Sequence, residues 1–258
     1  MATAERRENT ETRLTRAQSA LIAIGAMFLP GIPAYHWLWP WLDSHPEWNT
    51  PIQSAVYVYF IVCTLFIGLR RWNWDQIGVN RKGIGFGIAC GTVLIVARTF
   101  ALLCTNIPLA WQLTTLDRLL GEAAFYFLLV GVGEELLFRG VMWRALEEWR
   151  GTRWALIVTA LGFCIWHIYG RGVVGIAVGI IYGIFFGAIR WRAGGIVGLI
   201  IVHALMDLSA VAIVPDLRLS YLLTRVQVVN SWLAVLCELT FVGLLIYLWK
   251  ASRRQPNV

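Results

Sequence analysis

The sequence predicts an all-α fold, a polytopic membrane protein of about eight transmembrane helices in one bundle, and three observations lead there. The first is composition: of 258 residues, 58% are hydrophobic and only 14% charged, with a mean hydropathy of +0.64, where a soluble domain carries roughly a quarter charged residues. The second is that the apolar residues gather into runs close to the roughly 20 needed to cross a hydrocarbon core. The third is how the basic residues are spread. Counted from a cytoplasmic amino terminus, one side collects Arg6, Arg7, Arg13, Arg16, Arg70, Arg71, Arg81, Lys82, Arg144, Arg150, Arg153, Arg190, Arg192, Lys250, Arg253 and Arg254, and the other only Arg118, Arg171, Arg218 and Arg225. Lys and Arg excess marks the cytoplasmic side, so both termini are expected there, in an inner or plasma membrane.

In chain order, Met1–Arg16 is a cytoplasmic tail of mixed charge that does not read as a cleaved leader. The expected spans are Ala17–Trp39, Ile52–Leu69, Gly83–Leu103, Glu122–Trp143, Trp154–Ile168, Gly172–Ile189, Gly194–Val214 and Trp232–Trp249. They form a single membrane domain over 17–250, and 251–258 is a second cytoplasmic tail. Pro30 and Pro33 should bend or interrupt the first span, since proline removes a helical N–H and clashes with the preceding turn. Gly175, Gly179, Gly183 and Gly187 run down the sixth at four-residue spacing, and small residues one turn apart let helices approach closely in lipid. Trp37, Trp39, Trp72, Trp74, Trp154, Trp191 and Trp249 lie near span ends, where an amphipathic ring suits the headgroup region. Cys63, Cys90, Cys104, Cys164 and Cys237 are odd in number and never spaced CxxC, as expected of packing thiols. A net charge of +7 is dispersed over short connections, which argues against nucleic-acid binding.

An ionisable group at the centre of a membrane helix costs about 2.5–3.5 kcal/mol and is functional by default. Eight qualify here: Arg98, Glu134, Glu135, Arg139, His167, His203, Asp207 and Glu238. Glu135 and Arg139 are four apart, on one helix face, and can pair; Glu134 is turned about 100° away and is left without that partner. His203 and Asp207 are also four apart, so the carboxyl group can reach the imidazole. By the rise of about 1.5 Å per residue, Glu134 and His203 lie about 15 and 14 Å from the cytoplasmic end of their spans and His167 about 20 Å, close enough for one site. Arg98 and Glu238 fall in the outer half and read as a structural pair.

Three stretches carry a family resemblance: "EELLFR" fits EExxxR, "FCIWH" fits FxxxH and "HALMD" fits HxxxN/D. The chain resembles the CPBP intramembrane peptidases, the group containing the CAAX prenyl endopeptidase Rce1 and bacterial Abi-type proteins, over a motif core at about 122–209. The resemblance implies a glutamate-type endopeptidase that cuts a membrane-associated protein or peptide. Glu134 and His167 would activate water, His203 and Asp207 would bind the developing oxyanion, and Glu135 and Arg139 would support them.

The chemistry is coherent without the family, since amide hydrolysis needs an activated water, an oxyanion donor and a proton for the leaving amine. No cofactor is expected, with one zinc at Glu134, His167 and His203 as the alternative, because a His₂Glu set can hold a catalytic metal. Asp207 stands where the family often has Asn, and an ionised carboxylate cannot donate; the expectation is that it accepts from a ring nitrogen of His203 and fixes its tautomer, direct donation by a protonated Asp207 being the alternative. The same groups could serve a proton-coupled transporter, and a non-catalytic membrane partner with this fold is the third class. The expected partners are the substrate and the lipid bilayer; substrate identity, prenylation and oligomeric state do not follow from the sequence.

Overall fold

The computed structural model describes residues 2–104 and 116–213, all of whose regular structure is helical. Its elements, in chain order, are α1 (Ala2–Phe28), α2 (Gly31–Ser44), α3 (Asn49–Leu69), α4 (Ile84–Cys104), a run over 116–150 termed α5, α6 (Thr152–Ala193) and α7 (Val197–Ile213). The expected eighth span, Glu238, Cys237 and the carboxy-terminal tail lie outside the described residues, as does the side chain of Arg98, so the expected Arg98–Glu238 pair is not described.

Several expected boundaries shift. The first span is two helices: α1 ends at Phe28 and α2 begins at Gly31, and Pro30 sits in the break because its ring forbids the preceding turn. One helical stretch among the described residues, Pro46–Leu69, is long and apolar enough to cross a membrane alone; Ile84–Ala97 and Val197–Leu208 are shorter apolar helices. The span expected at Glu122–Trp143 lies within α5, which changes character along its length. It is α-helical over Leu116–Ala124, Val132–Glu134 and Trp143–Arg150, and π-helical over Phe125–Gly131 and Glu135–Met142.

The two spans expected at Trp154–Ile168 and Gly172–Ile189 fall in the single helical run α6, and the side-chain packing shows why both descriptions hold. A Cβ on Gly179 would lie 2.6 Å from Cys164 Cα, one on Gly183 2.8 Å from Ala160 Cα, and one on Gly187 2.5 Å from Leu156 Cδ1. Residues so far apart along a straight helix cannot touch, because each residue adds about 1.5 Å. The run therefore doubles back into two antiparallel limbs, and the glycine stripe is their seam. Gly151, with φ +88°, makes the corner between α5 and α6, a backbone region open to glycine and costly for other residues.

The remaining elements close around α5. Gly68 of α3 seats Val141, and Gly133 of α5 packs on Tyr57 and Ile61. α4 crosses α7 with Gly87 against Gly198, where an added Cβ would stand 3.3 Å from the facing Cα. Arg16 of α1 holds Glu148 at 2.8 Å, and Arg144 holds the same carboxylate at 2.6 Å. The carboxy-terminal end of α5 is thereby tied to α1. Phe138, Phe163, Phe186, Leu136, Leu199 and Ile196 form the core between α5, α6 and α7.

The limb seam gives a test. Gly183→Val should lower the melting temperature of the detergent-solubilised protein, overpacking against backbone atoms costing about 1–3 kcal/mol. Gly85→Ala, where nothing lies within 4 Å of the new Cβ, should not. Equal melting of the two variants would mean that the limbs do not pack through the glycines.

Candidate active site

The site is assembled where α3, α5, α6 and α7 meet, and its centre is an ion pair buried in an aromatic shell. Glu135 and Arg139 are both fully buried, and Arg139 Nη1 donates to Glu135 Oε1 at 3.2 Å. The register read from the sequence survives the π-helical geometry because residues four apart remain neighbours. Arg139 Nη2 donates to the Tyr182 carbonyl at 3.3 Å, and its guanidinium lies over the Phe163 ring at 4.2 Å. A buried charge is tolerated only when paired and hydrogen-bonded, and here the Glu135 carboxylate, the Tyr182 and Gly183 carbonyls and the rings of Phe138, Phe163 and Phe186 do that together.

Glu135 does more than pair with Arg139. His203 Nδ1 lies 2.8 Å from Glu135 Oε1, and because a carboxylate only accepts, Nδ1 carries the proton. The other ring nitrogen, Nε2, faces two more carboxylates, Asp207 Oδ2 at 3.5 Å and Glu134 Oε2 at 3.6 Å. This differs from the expectation for Asp207. The contact of hydrogen-bond length that orients the imidazole comes from Glu135 on another helix, and Asp207 stands beside the nitrogen that is left.

Glu134 is 3% exposed and is not bare, although the sequence offered it no partner. Its Oε1 accepts from the Tyr57 hydroxyl at 2.8 Å and from the Trp166 indole N–H at 2.9 Å. Its Oε2 is buried without a hydrogen-bond partner among the described residues and is turned toward His203. Both donors escaped the sequence reading. Tyr57 is a hydroxyl inside an apolar span, a weak signal shared with Tyr59, and Trp166 was passed over as the residue before the motif histidine.

His167 is set apart from that cluster. Its Nδ1 lies 2.9 Å from the Phe163 carbonyl, so this nitrogen donates and Nε2 is the acceptor in the neutral ring. Phe163 links it to the rest: its ring lies 4.3 Å from that of His167 and 6.0 Å from that of His203. Glu134, Glu135, Arg139, His203 and Asp207 thus come together directly, and His167 joins across one aromatic ring. Among the described residues no three His, Cys, Asp or Glu side chains are grouped to hold a metal ion.

Residues 116–209 match a family model described as type II CAAX prenyl endopeptidase Rce1-like. Over this segment the chain is similar to that family. The segment covers α5, α6 and most of α7, and with them every site residue named above except Tyr57. What the family description names is a CAAX prenyl endopeptidase. Neither the curated proteins nor the solved structures hold a match to the chain.

The geometry separates the glutamates thermodynamically. Glu135→Gln removes the anion shared by Arg139 and His203, and breaking a buried pair costs about 3–5 kcal/mol. Folded yield and melting temperature should fall well below those of Glu134→Gln, which keeps an oxygen for Tyr57 and Trp166. Indistinguishable melting curves would mean that Glu135 is not the anchor of the cluster.

Proposed function

We propose that the chain is a glutamic intramembrane endopeptidase that hydrolyses a peptide bond of a membrane-associated protein or peptide, with its site on the cytoplasmic side of one membrane domain spanning 17–250. The observation that carries this reading is the asymmetry of Glu134. One oxygen is pinned by two donors from different helices, and the other is buried, unpartnered among the described residues and aimed at an imidazole 3.6 Å away. A carboxylate held in this way is preorganised to take a proton from water at one defined atom.

In the proposed sequence Glu134 Oε2 accepts a proton from water, and the water oxygen attacks the scissile carbonyl. His167, with Nδ1–H committed to the Phe163 carbonyl, turns its bare Nε2 to the same water and orients it. The oxyanion forms near His203 Nε2, whose N–H keeps its proton and turns its hydrogen bond from the Glu134 and Asp207 side to the substrate oxygen. The ring enters this step protonated at both nitrogens, a form in which Nδ1–H has Glu135 and Nε2–H has carboxylates within 3.6 Å. Collapse of the tetrahedral adduct breaks the C–N bond, and the proton held by Glu134 goes to the leaving amine. Glu135 and Arg139 keep His203 in place and touch no reacting atom. No step uses a metal.

Three measurements bear on the proposal. Comparing intact masses of membrane and secreted proteins from cells with wild type or Glu134→Gln should reveal substrates that stay full length in the variant, and purified Glu134→Gln should lose all measurable cleavage of them. Identical mass profiles, or cleavage retained by the variant, would overturn the assignment of Glu134. Chelation should leave activity unchanged; stoichiometric zinc in the purified protein, with activity lost to a chelator and restored by zinc, would replace the metal-free reaction. For the membrane arrangement, reporters fused after Arg71, Arg153 and Arg192 should report cytoplasm, and those after His45, Arg118 and Arg225 the opposite side. A consistent inversion would move the site to the other face.

A further inference from the structure

The π-helical stretch Glu135–Met142 begins at the second of the two adjacent glutamates, and such a stretch has a characteristic weak point. In a π-helix each carbonyl bonds the N–H five residues on, in an α-helix the one four residues on. The Trp143 N–H is shared between the Phe138 carbonyl, five residues back, and the Gly140 carbonyl, three back, with Arg139 lying between them, and Trp143–Arg150 then continues as α-helix. When the spacing drops from five to four, one carbonyl is skipped. The carbonyl next in line after Phe138 is that of Arg139, and it accepts from Arg190 Nε–H at 3.0 Å.

Arg190 comes from the end of the second limb of α6 and is 6% exposed. Its guanidinium lies flat against Gly78, where a Cβ would stand 2.8 Å from Cζ, and Gly78 has φ +83°. The Gly78 carbonyl accepts from the Ile196 N–H at 2.8 Å, just before α7 begins. Glycine is required there twice over, by its backbone angle and by the arginine above it. The connection between α3 and α4 is thus built to admit this one side chain to the skipped carbonyl.

We infer that Arg190 is a positioning residue: its Nε–H satisfies the carbonyl that the π-to-α change leaves over, and so holds the register that aims Glu134 and Glu135. The catalytic half of this inference rests on the peptidase reading; the register half does not. Without the donor, a buried carbonyl in an apolar bundle is best satisfied by reverting to uninterrupted α-helix. One residue of register turns a helix by about 100°. The far end of α5 is fixed through Glu148 to Arg16, so the glutamates would be the part that turns, away from Tyr57, Trp166 and His203.

The role belongs to one N–H and not to the positive charge, which three substitutions separate. Arg190→Gln places a neutral donor on the same δ carbon that carries Nε; Arg190→Lys keeps the charge with a methylene in that place; Arg190→Met keeps length with neither. Amide hydrogen exchange in peptides covering 136–146 should be near wild type in Arg190→Gln and faster in Arg190→Lys and Arg190→Met. On a cleaved substrate, the Lys and Met variants should lose on the order of 10²-fold in kcat, the scale of an angstrom-level misplacement, with KM little changed, and the Gln variant should retain most turnover. Wild-type exchange and turnover in Arg190→Met, or equal defects in Arg190→Gln and Arg190→Met, would overturn the inference. If the Lys and Met variants do not accumulate, Gly78→Ala, which displaces the guanidinium without altering its donor, takes their place: faster exchange over 136–146 supports the clamp and unchanged exchange refutes it. Should the exchange pattern appear as expected while wild type cleaves nothing, the register role stands and the peptidase reading falls.

Discussion

Everything in this bundle is arranged around a carboxylate with two obligations. Glu135 Oε1 accepts from Arg139 and from His203 at once, so one oxygen neutralises the guanidinium of its own helix and selects the proton-bearing nitrogen of an imidazole on another. In an apolar interior neither cation-forming group could be held alone, since an isolated buried charge costs far more than a typical hydrogen bond returns. α5 and α7 are therefore locked together at the depth of the glutamates. Burial of Phe138, Phe163 and Phe186 around the pair removes water that would weaken it.

Substrate chemistry and structural support are divided between adjacent residues. Each glutamate keeps one oxygen without a hydrogen-bond partner among the described residues, but Glu135 Oε1 serves an arginine and an imidazole whereas Glu134 Oε1 serves two neutral donors, and this difference follows from which helices each faces. α3 and the first limb of α6 supply neutral donors, Tyr57 and Trp166; α7 supplies the imidazole. Neutral donors orient a carboxylate without adding a permanent opposite charge beside it. That suits a group meant to change its protonation during a reaction, and a guanidinium in the same place would oppose the change.

The sequence made the charged core legible because a membrane makes charge expensive: Glu134, Glu135, Arg139, His203 and Asp207 stood out from their surroundings, and four-residue spacing paired Glu135 with Arg139 correctly. The apolar runs were equally informative for the all-helical architecture of the described residues. What they could not supply was adjacency between helices. Asp207 was matched to His203 because they share a face, and the stronger contact from Glu135 crosses from another element, invisible to spacing. The π-helical segments also left no mark on hydropathy, since they alter backbone bonding and not composition. Pro30 is the contrary case: its effect is local and covalent, and the break at the start of α2 lies where the residue is.

The doubled limbs of α6 have a consequence for how this sequence can drift. Leu156 faces Gly187, Ala160 faces Gly183 and Cys164 faces Gly179, so size along the seam is a shared quantity: a larger residue on one limb must be answered by a smaller one opposite, and at Gly183 there is nothing smaller to offer. Trp166 sits two residues beyond Cys164 on the limb that would be pushed aside, and its indole holds Glu134. Variation at three inconspicuous glycines is therefore transmitted to the Glu134 carboxylate. Among relatives, these positions should change only in compensating pairs, a covariation that has its origin in the packing that seats Trp166 against Glu134.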